Sequence, residues 1–406
     1  MTPPGLAASR WAVWVLPQIA MVWLVAFLVT PEVQSVRRAA DLLPILNLAV
    51  LIGGAVWAVR FFLKSDLCRH MMESQDVTPR ILAQSVFLAA AVLPVVLCVL
   101  EKYYWIHVLA ISLIYVLLAI SLNIVVGLSG LLVLGFSAFY GIGAYVAAIL
   151  TTGAGSSPHL IWALLPAAAG LAAGFGLLLG APTLRLRGDY LAIVTMGFGE
   201  IVRIILTNWE GLTRGPIGIS GVAPFHLAGW SFNRPFSAGP IRLDGDTQYY
   251  FLLLLTVAFF VLITHRLSHS RIGRAWVAFR EDELAARCYG IDVTRYKLLA
   301  FAVAASGAGI AGVYFASLQG FVDPTSFTFL ESVLILSMVV LGGMGSLPGC
   351  AAAAVILQVL PEKLQMLREY RMLIFGALMI VFMCIRPEGL IPSRRRLRRI
   401  REVPVP

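Results

Sequence analysis

Apolar runs of roughly 17 to 22 residues recur along the chain, beginning at Trp11 to Thr30, and each has the length an α-helix needs to cross a bilayer's hydrocarbon core. Lipid offers no partner for backbone N–H and C=O groups, so a series of such runs admits spanning helices and little else. Composition agrees. Of 406 residues, 59% are hydrophobic, and the mean hydropathy is +0.87, beyond what a soluble domain covers with polar surface. The reading is an all-α polytopic membrane protein with about 10–12 transmembrane helices.

Spans are expected near residues 11–30, 42–63, 81–100, 106–126, 130–150, 161–181, 188–208, 248–266, 298–318, 327–344, 346–361 and 371–386. The first is too long for a signal-peptide core and lacks a small-residue cleavage site, so it reads as a retained helix. With the N-terminus inside, about 21 of the 31 Lys and Arg residues fall on cytoplasmic segments and about 9 on external ones, with Arg203 inside a span. Both termini are therefore expected in the cytoplasm. The net charge of +10 reflects this bias, and the tail "RRRLRR" at 394–399 reads as a topology anchor near anionic lipid, not a nucleic-acid patch. Residues 209–247, rich in Gly, Pro and Ser, form the longest outside loop and read as an ordered, turn-rich cap.

Two spans are broken by glycine, "GLSGLLVLGFSAFYGIGAYVAA" at 127–148 and "VVLGGMGSLPGCAAAAV" at 339–355. One such motif per half suggests duplicated halves, and interrupted helices are tolerable only where protein or a water-filled path surrounds the unwound backbone. The alternative is close helix packing, the role expected of Gly170, Gly174, Gly176 and Gly180. In a neighbouring span Glu200 and Arg203 are i,i+3 neighbours. They form either a structural ion pair or a substrate contact. Candidate residues along a translocation path are Asn123, Gly130, Ser137, Gly141, Thr195, Glu200, Arg203, Gly343 and Gly345.

No P-loop, H-E-x-x-H pair or G-x-S-x-G elbow occurs, and the five cysteines lie far apart with no C-x-x-C pair. Neither catalysis nor a metal site is indicated, and no ATP site of the P-loop kind exists in this chain.

One stretch stands apart, "RIGRAWVAFREDELAARCYGIDVTRYK" at 271–297. Ile272, Ala275, Trp276 and Phe279 give an apolar stripe at helical spacing, so one short amphipathic helix is expected, with Gly290 ending it and Asp292 or Thr294 starting the next. The acidic run Glu281, Asp282 and Glu283 suits a protein partner better than lipid, while a solvated loop stays open as the alternative.

The segment "EDELAARCYG" resembles the cytoplasmic coupling loop of bacterial ABC-importer permeases, with Ala285, Ala286 and Gly290 in the signature places and Glu283 in the acidic one. The stretches "LRLRGDYLAIVTMGFGEIVRIILTN", "GRAWVAFREDELAARCYGI", "SFTFLESVLILSMVVLGGMGS" and "REYRMLIFGALMIVFMCIRPEGLIP" are similar to the M-type subunit of high-affinity branched-chain amino acid permeases. The resemblance covers about residues 105–393. It implies a permease domain there, an N-terminal extension of about three spans over 1–104, and a basic cytoplasmic tail over 394–406. It also implies a heterodimer with a second permease subunit, two cytoplasmic ATP-binding subunits, and a periplasmic binding protein delivering leucine, isoleucine or valine. Arg280, Glu281, Asp282, Glu283, Ala285, Ala286 and Gly290 would be the ATPase-coupling residues. The family's "GGPNGI" reads "RGPIGI" at 214–219 here, which leaves related solutes such as urea or amides open. An ion-coupled secondary transporter using Glu200 is the rival from another class.

Overall fold

The computed structural model describes residues 103–153, 160–183, 189–227, 230–232, 236–238, 241–243 and 245–363, with isolated positions at 90, 93–94, 376, 380 and 389–391. The spans expected at 11–30, 42–63, 81–100 and 371–386, and the tail, lie outside the described residues or touch them only at those isolated positions. Two compact units emerge, one of Met1–Ile106, Gly239–Arg242 and Leu360–Arg371, the other of His107–Ala238, Leu243–Val359 and Met372–Pro406. Within the first, the Tyr104 hydroxyl donates to Glu362 at 2.6 Å.

The second unit is entered through α1, Tyr103–Asn123, which belongs to it from His107 on and continues as a π turn over Ile124–Leu128. This rod is apolar all round, the pattern of a helix enclosed on every side, and 89% of its most apolar window is buried. Its serine hydroxyls fold back on their own helix, Ser112 to the Val108 carbonyl and Ser121 to that of Leu117. The helices that follow are α2 (Phe136–Gly153), α3 (Leu160–Thr183), α4 (Asp189–Asn208), the single turn α5 (Glu210–Thr213), α6 (Gly245–His269), α7 (Arg271–Glu281), α8 (Glu283–Cys288), α9 (Val293–Gln319), α10 (Phe329–Gly342) and α11 (Leu347–Lys363). Five helices among the described residues are long and apolar enough to cross a membrane. The chain is a multi-pass, all-α membrane protein.

α9 packs most extensively against α2 and α3. Small residues allow it: a Cβ on Gly176 would stand 2.8 Å from that of Ala305 and 3.0 Å from the Phe301 carbonyl, so the backbones meet where nothing larger fits. Gly180 likewise abuts Leu298, but Gly170 and Gly174 meet nothing within 4 Å. The packing role expected of all four glycines therefore holds for two, because α3 turns only one face to α9.

The breaks shift the expected span boundaries. Residues 129–135 are not helical, and α2 starts at Phe136 instead of residue 130. α10 and α11 are separated by a turn at 343–346 and are shorter than a full crossing. Residues 390 and 391 close that turn, Leu390 N–H donating to the Leu341 carbonyl at 2.8 Å and Ile391 N–H to that of Gly342 at 3.2 Å.

Segments from 209–232 and 319–327 gather at one end of α6 and α9. Ile219 pairs with Val322 and Ser220 with Phe321 in an antiparallel register. Phe225 anchors this cap, fully buried and in ring contact with Trp162, Tyr249 and Tyr314. α7 and α8 join the other ends of α6 and α9. Helices of 25 and 27 residues separate the two groups by about 38–40 Å, more than the hydrocarbon thickness of about 30 Å.

Candidate functional site

Three contacts at different heights tie α1 to the second half of the chain. The Tyr115 hydroxyl donates to Glu331 at 2.5 Å. Two turns on, about 12 Å along the axis, the Asn123 side-chain oxygen accepts the Gly345 N–H at 2.8 Å. At the helix end Arg280 Nη1 donates to the Gly127 carbonyl. The two glycine breaks thus meet at Asn123 and Gly345, where a side chain on Gly127 would collide with both.

The π turn explains the Arg280 contact. Ser129 N–H closes the i→i+5 ring on the Ile124 carbonyl at 3.2 Å, and the chain then leaves the helix, so the last carbonyls need partners from elsewhere. A guanidinium at a helix C-terminus satisfies one and matches the negative end of the dipole. Gly130, at φ +71, makes the passage: a Cβ there would lie 2.6 Å from Arg280 Cγ.

Beyond the turn the extended segment lies on α4, with Leu134 N–H donating to Thr195 Oγ1 at 3.0 Å. Ser137 begins α2 against α10, its N–H donating to Ser332 Oγ at 2.9 Å while the two hydroxyls meet at 2.8 Å. Gly141 leaves room for the Phe327 ring, 3.0 Å from where its Cβ would be. Gly343 and Gly345, with φ of 106° and 86°, form the second break. Asn123, Gly130, Ser137, Thr195, Gly343 and Gly345 therefore lie along one seam of polar contacts, and Gly141 lies beside it against the Phe327 ring. Glu200 and Arg203 are further along α4 and pair with each other at 2.6 Å, each side chain 34% exposed.

At the opposite extremity of the seam, Ser270 caps α7 by accepting the Ile272 N–H at 3.1 Å. Gly273, Ala275, Trp276 and Phe279 are buried, and Trp276 donates its indole N–H to the Tyr296 carbonyl at 2.8 Å. The single helix expected here is two. Asp282 stops α7 and caps α8, accepting from Leu284 and Ala285 N–H groups at 2.8 and 3.0 Å. Glu283 is turned inward, paired with Lys297 at 3.1 Å and Arg287 at 2.7 Å, and Ala286 is buried. Gly290, at φ +78 with open space around it, is required for its left-handed turn and not for close approach. Glu281, Ala285 and Gly290 face solvent together with Leu284, 64% exposed, and Tyr289, 87% exposed.

Sequence reasoning passed over Glu331, Tyr115 and Tyr140 in the seam, Leu284 on α8 and Tyr289 at its C-cap. A carboxylate within the apolar run "SFTFLESVLILSMVV" was the available signal for the first. Among the described residues, no cluster of three His, Cys, Asp or Glu side chains could hold a metal ion.

Residues 104–383 match the family model described as branched-chain amino acid transport system / permease component. The chain is 48% identical over 296 residues, 70% of its length and 69% of the relative's, to the high-affinity branched-chain amino acid transport system permease protein LivM of Salmonella typhimurium. It is 46% identical to the Escherichia coli LivM protein over 302 residues, covering 71% and 70% of the two chains. The E. coli permease protein LivH is 27% identical over 288 residues, 68% of this chain and 91% of that one. No solved structure matches.

Proposed function

Because the chain belongs to the branched-chain amino acid transport system permease family, we propose that it is a transmembrane permease subunit of an ATP-driven importer. It moves leucine, isoleucine or valine inward along the seam between α1, α2, α4 and α10. A second permease of the LivH kind pairs with it, and relatedness at 27% to that kind fits two similar halves around one path. Two ATP-binding subunits hold the nucleotide, a periplasmic protein delivers the amino acid, and the complex sits in a bacterial inner membrane with both termini of this chain inside.

One observation carries the coupling role of α7 and α8. They lie at the far ends of α6 and α9 from the cap, present Leu284 and Tyr289 outward, and reach back through Arg280 to the end of α1. An apolar pair in a charged rim is the chemistry of a docking anchor. Beside it an open groove of ≈ 550 Å³ is lined by Ile272, Gly290, Ile291, Asp292, Arg295 and Tyr296, among others. Motion imposed on α8 by a partner is transmitted to the first break by the Arg280 side chain.

The experiment is reconstitution of the chain with the second permease, ATPase subunits and binding protein in vesicles. ATP-dependent uptake of labelled leucine, absent when α8 carries Leu284→Asp with Tyr289→Asp, supports the reading. Uptake of urea or an amide in place of leucine changes the substrate, and uptake driven by an ion gradient without ATP overturns the class.

A further inference from the structure

We propose that the buried polar cluster where the first turns of α2 and α10 meet binds a small zwitterion of the α-amino acid class, with the Tyr140 hydroxyl on its carboxylate and Glu331 on its ammonium group. The proposal rests on the permease reading and assigns that path a binding site.

The first turns of two helices of 18 and 14 residues touch through Ser137 and Ser332. Two helix N-termini meeting there give the junction a positive character, with the Ser137 N–H already held by Ser332 Oγ at 2.9 Å and the Glu331 N–H by the Thr328 carbonyl at 3.1 Å. At α10 the N-cap Thr328 makes no side-chain capping hydrogen bond. Such an end favours a carboxylate.

The second observation points independently to a ligand. Tyr140 lies one turn into α2 on the Ser137 side, 1% exposed, and its hydroxyl has no hydrogen-bond partner among the described residues. A buried hydroxyl in that condition is destabilising unless something arrives to pair with it. Of the four buried side-chain atoms left unpaired among the described residues, one is the Tyr140 hydroxyl, and the others belong to Asn123 at the first break, Tyr145 further along α2 and Gln358 on α11.

The third is charge of the other sign nearby. Glu331 holds the Tyr115 hydroxyl at 2.5 Å and directly precedes Ser332, whose hydroxyl meets that of Ser137 at 2.8 Å, one turn before Tyr140. A carboxylate beside two helix N-termini suits a ligand with both charges, whereas a simple anion would meet Glu331 and a simple cation would meet the helix ends. The rings of Phe327 and Phe315, 5.1 and 5.3 Å from that of Tyr140, supply an apolar wall for an aliphatic side chain.

The test is Tyr140→Phe in the reconstituted complex. The change keeps the ring contacts and removes only an unpaired hydroxyl, so a purely structural role predicts equal or better assembly and unchanged uptake. We expect normal assembly with leucine uptake lowered tenfold or more, and a similar fall for Glu331→Gln. Leucine uptake at the wild-type rate and KM in Tyr140→Phe overturns the site while leaving the permease reading intact. Loss of assembly in Tyr140→Phe also overturns it, since the hydroxyl would then be serving the fold. A wild-type complex that takes up no leucine overturns the permease reading itself, and the site with it.

Discussion

Arg280 donates to the main-chain carbonyl of Gly127, joining a helix at the surface of the membrane domain to the end of its most buried helix. The side chain passes over Gly130, where a Cβ would obstruct it at 2.6 Å, so the contact is a strut of fixed length. Arg280→Ala should leave insertion and ATPase association intact while raising the ATP hydrolysed per leucine transported severalfold. Arg280→Lys should recover part of the coupling, because an ammonium can still reach a carbonyl but lacks the planar fork. Wild-type stoichiometry in Arg280→Ala would show that force passes elsewhere.

Glu283 and Lys297 form a nearly enclosed ion pair, with side-chain exposures of 16% and 7%. Removing one partner strands the other, at a cost of about 3–5 kcal/mol. Glu283→Gln should thus accelerate amide hydrogen exchange throughout 283–297, and adding Lys297→Met should restore protection. Unchanged exchange in the single variant would mean that α8 is held by its caps and by Ala286 alone.

How much of this was legible in the sequence depends on the range of the interaction. The buried stripe of α7 follows from period alone, since Ala275, Trp276 and Phe279 recur at helical spacing. The split at Asp282 does not, because three consecutive acidic residues suit a helix surface until one side chain turns to cap the next helix. Arg280 reads as solvent-facing on a helical wheel and stays exposed, and only the missing side chain at Gly130 lets its guanidinium reach the end of α1. Glu331 finds Tyr115 across 216 residues of chain, a separation no local pattern records. Among the α3 glycines, lipid and protein both accept an apolar face, so sequence cannot separate Gly176, which packs, from Gly170, which does not.

Arg214 stands where the resembling family has glycine, and it is the one non-glycine residue with positive φ among those described, at 59°. A left-handed conformation costs a side chain roughly 1–2 kcal/mol. Arg214→Gly should therefore raise the heat-inactivation midpoint of the detergent-solubilised chain without altering uptake. A lower midpoint would mean that the guanidinium makes a contact outweighing the backbone strain.

Glu200 and Arg203 satisfy each other within α4 at 2.6 Å, on a helix whose most apolar window is only 22% buried. Large apolar side chains such as Ile193, Ile201 and Ile204 face outward from it. A half-exposed ion pair is poorly accommodated by lipid, so a second subunit or water covers it. Glu200→Gln should reduce co-purification of the second permease and leave the pH profile of uptake unchanged. Normal co-purification with uptake uncoupled from protons would instead favour an ion-coupled carrier.

Topology gives the most direct check on the whole arrangement. The cap around Phe225 and the pair α7 and α8 occupy opposite ends of α6 and α9, helices of 25 and 27 residues, so a bilayer lies between them. Which end faces out follows from charge. Residues 267–297 carry Arg271, Arg274, Arg280, Arg287, Arg295 and Lys297, against Arg214, Arg234 and Arg242 in the longer stretch 209–247, and an excess of Lys and Arg marks the cytoplasmic side. With the native cysteines replaced, Ser237→Cys should react with an impermeant thiol reagent added to intact cells, and Ser270→Cys only after permeabilisation. The reverse pattern would invert the domain and place α8 beyond the reach of any cytoplasmic ATPase.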